Sequence, residues 1–80
     1  MERNEIVEKL TPIVRSVFAN EALAVTDDMS AQTVPTWTSL SFMQLLTEIE
    51  EQFGFKFKMM EILRLQNMGA IIDAIQRHLA

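Results

Sequence analysis

Between Glu2 and about Asn20 the apolar residues Ile6, Leu10, Ile13, Val14, Val17 and Phe18 recur at steps of three and four. That spacing gathers side chains on one stripe of a helix, so the pattern predicts a first amphipathic helix over this stretch. The periodicity then stops. The following residues, EALAVTDDMSAQTVPTWT, collect Thr, Asp and Ser with one proline, and read as a long loop. A loop of this length inside a compact domain is uncommon, and usually means a functional segment or a hidden short helix. Leu23, Val25, Met29 and Val34 are expected to tuck into the core and hold it down.

Pro35 cannot sit within a helix and biases Val34 towards an extended conformation, so the second helix has to begin after it, close to Ser39. From Ser39 to Phe53 the residues Phe42, Leu45, Leu46, Ile49 and Phe53 share a stripe, which Leu40 and Met43 are expected to broaden. Gly54 follows directly, where a glycine can take the left-handed conformation that ends a helix. After it, FKFK alternates apolar and basic residues. With no second strand signal to pair with, it reads as an extended connector. MMEILRLQ predicts a short third helix. NMGAIIDAIQRHLA predicts a fourth, with Asn67 as its cap and Met68, Ile71, Ile72, Ile75 and Leu79 turned inward. The expected fold is all-α: a small bundle of three main helices and one short one, with a long loop between the first two.

Eighty residues are expected to form one domain, and a chain of this size buries only around 60% of the surface its unfolded form exposes. The balance of 49% hydrophobic and 22% charged residues is that of a chain that folds. There is no cysteine and only one histidine, His78, which removes disulfides, a thiolate nucleophile and a zinc site of the usual kind. The net charge of −4 opposes a phosphate backbone and favours partners with basic surfaces. Lys56, Lys58 and Arg64 form the one local basic cluster, without interleaved aromatics for base stacking. No stretch has the form of a signal peptide or a membrane span, so the expectation is a cytoplasmic monomer that binds neither nucleic acid nor the bilayer interior.

Catalytic arrangements find little support. A Ser-His-Asp set would have to unite Ser39, His78 and an aspartate, yet a histidine in the last turn of a helix is explained by the helix dipole alone. Glu48, Glu50 and Glu51 are expected on an exposed face, with nothing apolar arranged to raise a carboxyl pKa. Taken together they are more informative. The helix from Ser39 to Phe53 holds these three acids and no Lys or Arg, a one-sign surface that a basic partner can read. Met43, Met59, Met60 and Met68 read first as adaptable core filler, and also suit a bundle that opens to admit a flexible apolar chain. Ser39 has an ordinary explanation as a helix-start residue, a role for which Thr36, Thr38 and Ser41 compete.

The order of these parts changes the weight on Ser39. A first helix, a long loop, Trp37, one residue, Ser39-Leu40, an acidic helix ending EIEEQFGF, a short helix and then MGAIIDAIQRHL resemble the acyl carrier proteins over nearly the whole chain. WTSLSFMQLLTEIEEQFGFKF is especially similar to members reading Trp-Asp-Ser-Leu. The resemblance implies a carrier with no catalytic or metal-ligating residues. It implies phosphopantetheine, delivered from coenzyme A by a phosphopantetheinyl transferase and esterified to Ser39.

It further implies a docking surface for acyl-transferring and chain-extending enzymes, made of Thr38, Leu40, Met43, Glu48, Glu50 and Glu51, and an acyl pocket expected at Leu45, Leu46, Ile62 and Ile71. Fatty acid, specialised lipid or polyketide synthesis would be the setting. An aminoacyl or D-alanyl carrier, or an unmodified docking domain of carrier descent, are the alternatives. Two departures bear on recognition. Thr38 stands where the family has aspartate, and Ser41 and Gln44 stand where many members carry acids. Thr38 marks natural divergence in a specialised carrier with its own partners, an engineered replacement that blocks or weakens modification, or a carrier that no longer carries. The intact Ser39-Leu40 favours the first two.

Overall fold

Ile6, Leu10, Val14 and Phe18 lie four residues apart and are all fully buried, which is the stripe that draws the first helix onto the rest of the molecule. In the computed structural model, which describes all 80 residues, that helix is α1 (Arg3–Val17), followed by α2 (Ser39–Phe53), α3 (Met59–Ile62) and α4 (Met68–Leu79), with no strand. The all-α expectation of three main helices and one short one holds. α1 packs against both α2 and α4.

α1 is shorter at its C-terminal end than its apolar pattern. Phe18 still packs in the core but is the cap, and Ala19 takes a left-handed conformation with φ +54°. This lets the Asn20 amide donate to Arg15 O at 3.0 Å and the Ala19 amide to Ser16 O at 3.3 Å. Together these form the paired hydrogen bonds of a Schellman turn, closed here without glycine. Pro12 lies within α1 and is exposed, so its ring meets solvent while the helix continues past the missing N–H.

The long loop is pinned by its backbone. Met29 and Val34 are buried as expected, and Leu23 and Val25 are partly so. The first amides of α4 complete the attachment: Met68 N–H donates to Met29 O at 2.8 Å and Gly69 N–H to Asp27 O at 2.9 Å. Asn67 Oδ1 accepts from the Ala70 amide at 2.8 Å, so the expected cap is present. Thus the unpaired N–H groups that begin every helix are satisfied here partly by the loop. A side chain at Gly69 would bring its Cβ within 3.2 Å of Asp27 Cβ and O, which explains the glycine. From the other side, Arg3 reaches both Asp27 and Asp73 at 2.7 Å, tying the start of α1 to the loop and to α4.

α2 ends where expected. Gly54 has φ +76° and its amide donates to Glu50 O at 2.9 Å. FKFK is an extended connector, and its Phe57 is buried with Phe55 edge-on to it at 4.9 Å. The third helix is shorter than MMEILRLQ suggested. Only Met59–Ile62 is helical, none of these residues is fully buried, and the chain then turns so that Leu65 enters the core. So short a helix has no stability of its own and depends on what holds it.

Leu40 and Met43 correct the expected stripe of α2. They do not broaden the core face: Leu40 is 73% exposed and Met43 50% exposed. Ser41, in contrast, is buried. The apolar face of α2 is therefore narrower than its composition suggests, and two large apolar side chains are left outside it.

Candidate functional site

The chain enters α2 through a stack of aromatic rings. Trp37 lies between Phe18, at the end of α1, and Phe42, in the second turn of α2, with ring centroids 5.2 and 6.1 Å away and planes inclined by 20° and 16°. Offset stacking of this kind adds to the area the rings bury. Beside it, the Thr36 hydroxyl donates to Phe18 O at 2.9 Å. The residues just before Ser39 are thereby fixed to the end of α1.

Thr38 is the N-cap. Its Oγ1 accepts from the Ser41 amide at 3.2 Å, while the Thr38 amide donates to Ser41 Oγ at 2.8 Å. This reciprocal pair is a capping box with serine in the place more often held by Glu or Gln. Ser41 Oγ in turn donates to Thr36 O at 2.8 Å. The Thr38 and Ser41 hydroxyls are thus occupied in closing the helix start, and that of Thr36 in holding Phe18 O. Ser39, at the first helical position and exposed, is left with a free hydroxyl.

Two grooves open beside this turn. One lies between α1 and α2 and is bordered by Val17, Leu40, Met43, Gln44, Thr47 and Glu48. The other has a volume of about 500 Å³ and is bordered by Gln32, Trp37, Ser39, Phe42, Leu65 and Gln66, with neighbouring loop residues completing its rim. Ser39 borders the second and Leu40 the first, because successive residues in a helix point about 100° apart.

Of the expected docking residues, Thr38, Leu40, Met43, Glu48 and Glu51 are exposed. Glu50 corrects the reading of the acidic face. It is turned inward with 17% of its side chain exposed, and its Oε2 accepts from the Phe57 amide at 2.8 Å. It fastens the FKFK connector to α2, so Glu48 and Glu51 are the acids this helix shows to solvent. Ser41 is likewise no part of an exposed face. No acid stands in the first turn of α2.

Leu45, Leu46 and Ile71 are sealed in the core, and Ile62 packs against it partly buried. Neither groove beside Ser39 is bordered by any of these four. His78 is engaged away from Ser39: its Nε2 lies 2.8 Å from Glu61 Oε1, and its ring stacks on Phe55 at 4.3 Å. The Thr38–Ser41 box has a local signal, a threonine and a serine three apart, but spacing alone leaves it in competition with Thr36 and Ser39. The glutamines of the second groove had no sequence signal, since it is the fold that brings residues 32 and 66 to Ser39.

Residues 37–75 match the family model described as a phosphopantetheine attachment site. The chain is similar to the solution NMR structure of holo acyl carrier protein from Geobacter metallireducens, with 34% identity, a TM-score of 0.85 and coverage of 91% of this chain and 84% of that one. The chain belongs to the acyl carrier protein family. It is also 24% identical over 78 residues to the acyl carrier protein of Lactobacillus johnsonii, covering 98% of each. Acyl carrier proteins are carriers and not enzymes, and they hold phosphopantetheine covalently. Family membership brings with it a phosphopantetheinyl transferase and acyl-processing enzymes as partners.

The residues present fit that group. A free, exposed hydroxyl stands at the start of a fifteen-residue helix, where the backbone N–H groups and the helix dipole favour a phosphodiester anion. No carboxylate in that turn opposes it.

Proposed function

We propose that Ser39 is the attachment residue and that the chain presents acyl groups as thioesters to the enzymes of fatty acid, specialised lipid or polyketide synthesis. The observation that carries this reading is the free Ser39 hydroxyl, exposed at the first position of α2, while the hydroxyls of Thr38 and Ser41 close the capping box and that of Thr36 is bonded to Phe18 O. Residues 1–80 act as one carrier unit in the cytoplasm, without entering a membrane; no helix is long and apolar enough to cross one.

In the loading step the Ser39 oxygen attacks the phosphorus nearest the pantetheine of coenzyme A, the pyrophosphate bond breaks, adenosine bisphosphate leaves, and the serine proton passes to the transferase. The bound group supplies a terminal thiol, which this cysteine-free chain lacks. Thr38 and Ser41 hold the turn rigid, and Trp37 anchors it. Leu40 and Met43 beside Ser39, with Glu48 and Glu51 further along the helix, form the docking face. Partners therefore present an apolar contact near the serine and cations roughly two and a half to three turns away. An acyl chain that reaches Leu45, Leu46, Ile62 and Ile71 has to displace α3, the helix with no fully buried residue.

The test is the intact mass of the protein before and after incubation with coenzyme A and a broad-specificity phosphopantetheinyl transferase. One added phosphopantetheine on the parent and none on Ser39→Ala is the expected result. No gain on the parent but gain on Thr38→Asp assigns the block to the missing carboxylate. No gain on either overturns the reading in favour of an unmodified docking domain.

A further inference from the structure

The two grooves beside the first turn of α2 differ in which residue they offer. Leu40 and Met43 open into the groove against α1, and Ser39 opens into the other. A group attached to Ser39 therefore starts on the side away from the apolar docking residues. The groove that Ser39 borders has a volume of about 500 Å³, within the range of small-ligand sites.

The chemistry of its walls is specific. Trp37, Phe42 and Leu65 make an apolar floor, and Gln32 and Gln66 stand at its rim. Gln32 Oε1 accepts from the Ser30 hydroxyl at 2.8 Å, which orients the side chain and leaves its amide N–H groups free to donate. A pantetheine chain has the matching composition: two amides, each a donor and an acceptor, separated by short alkyl segments and a geminal dimethyl group. The geometry points to this groove as a resting site for the prosthetic arm, with Gln32 and Gln66 pairing with its amides and the dimethyl group against Trp37 and Leu65. The arm then lies apart from the Leu40–Met43 face. A partner can dock on that face while the arm is still parked, and its delivery requires release from Gln32 and Gln66. This inference rests on Ser39 as the attachment residue.

The experiment uses protein loaded on Ser39 and checked by intact mass, so failure of loading is separated from failure of parking. Isotope-filtered NMR of the loaded chain is expected to show contacts from the dimethyl protons to Trp37 and Leu65, with shifted side-chain amide resonances of Gln32 and Gln66. Emission from Trp37, the single tryptophan, changes on loading. Gln66→Ala, an exposed position, removes about one net hydrogen bond and should lower the parked-to-free ratio roughly two- to tenfold. A fully loaded protein whose dimethyl protons contact neither Trp37 nor Leu65, with unmoved Gln32 and Gln66 resonances, overturns the inference. So does a parked fraction unaffected by Gln32→Ala and Gln66→Ala together.

Discussion

Glu61 Oε1 lies 2.8 Å from His78 Nε2, joining the four-residue α3 to the last turn of α4. The same oxygen accepts from the Lys58 amide at 2.8 Å, which caps α3. One carboxylate thus ties α3 to α4, with Phe55 and Phe57 packed on the histidine ring.

That carboxylate sets a dependence on acid. The Lys58 amide hydrogen bond, and secondarily His78, hold Glu61 below its ordinary value of 4.5, against the opposing effect of burial. A carboxyl with a depressed folded pKa contributes stability that is fully present above its unfolded value and is lost as pH falls through the folded one. Glu61→Gln keeps an acceptor for the Lys58 amide but no charge. The parent should therefore be the more stable well above pH 4.5, and the gap should close as pH is lowered past the folded value. Thermal unfolding of both proteins across that window checks the sign, and a gap that widens on acidification contradicts it.

Thr38 separates capping from charge. Thr38→Ala removes the acceptor for the Ser41 amide and should cost about 1 kcal/mol, in the range for lost N-caps. Thr38→Asp keeps an acceptor and adds a negative charge at the positive end of α2, so its stability should equal or exceed the parent's by up to roughly 1 kcal/mol. Urea unfolding of the three proteins gives the order. An aspartate variant less stable than the alanine variant would contradict the capping assignment.

How far the sequence reached can be judged from α2. Its limits at Ser39 and Gly54 were legible because Pro35, the capping hydroxyls and the glycine are local signals, and local signals survive without knowledge of the fold. Its faces were less legible. Leu40 and Met43 satisfy a helical apolar spacing as well as Leu45 does, and only the position of α1 decides that they stay outside. Glu50 looked equivalent to Glu48 and Glu51 until the connector placed the Phe57 amide against it. The same holds for Arg3, whose partners Asp27 and Asp73 lie far along the chain.

Arg3 ties the start of α1 to the loop and to α4 through exposed ion pairs. With its guanidinium shared between Asp27 and Asp73, hydrogen bonds to both raise its pKa, so it stays charged at every accessible pH. Both aspartates are well exposed, so the pairs are screened by salt. Arg3→Gln should lower the unfolding midpoint at low ionic strength, and the difference from the parent should shrink as salt is added. A difference independent of salt would show that Arg3 acts through packing alone.

Leu40 and Leu45, five residues apart on α2, give the clearest separation of docking from folding. Leu45 is fully buried, and truncating such a leucine to alanine typically costs 2–5 kcal/mol, some through the cavity left behind. Leu40 is 73% exposed, so Leu40→Ser should change stability by no more than about 0.5 kcal/mol. Its effect should appear in partner engagement. With the transferase below saturation, loading of Leu40→Ser should slow mainly through a raised KM, because the apolar contact beside Ser39 is lost while the hydroxyl and its helix start are intact. Added salt should weaken loading of the parent less than the change at Leu40 does, since no acid stands in the first turn of α2 and the exposed Glu48 and Glu51 lie more than two turns further on. A Leu40→Ser protein that folds and loads like the parent would remove the apolar face from the docking surface and leave those two acids as its basis.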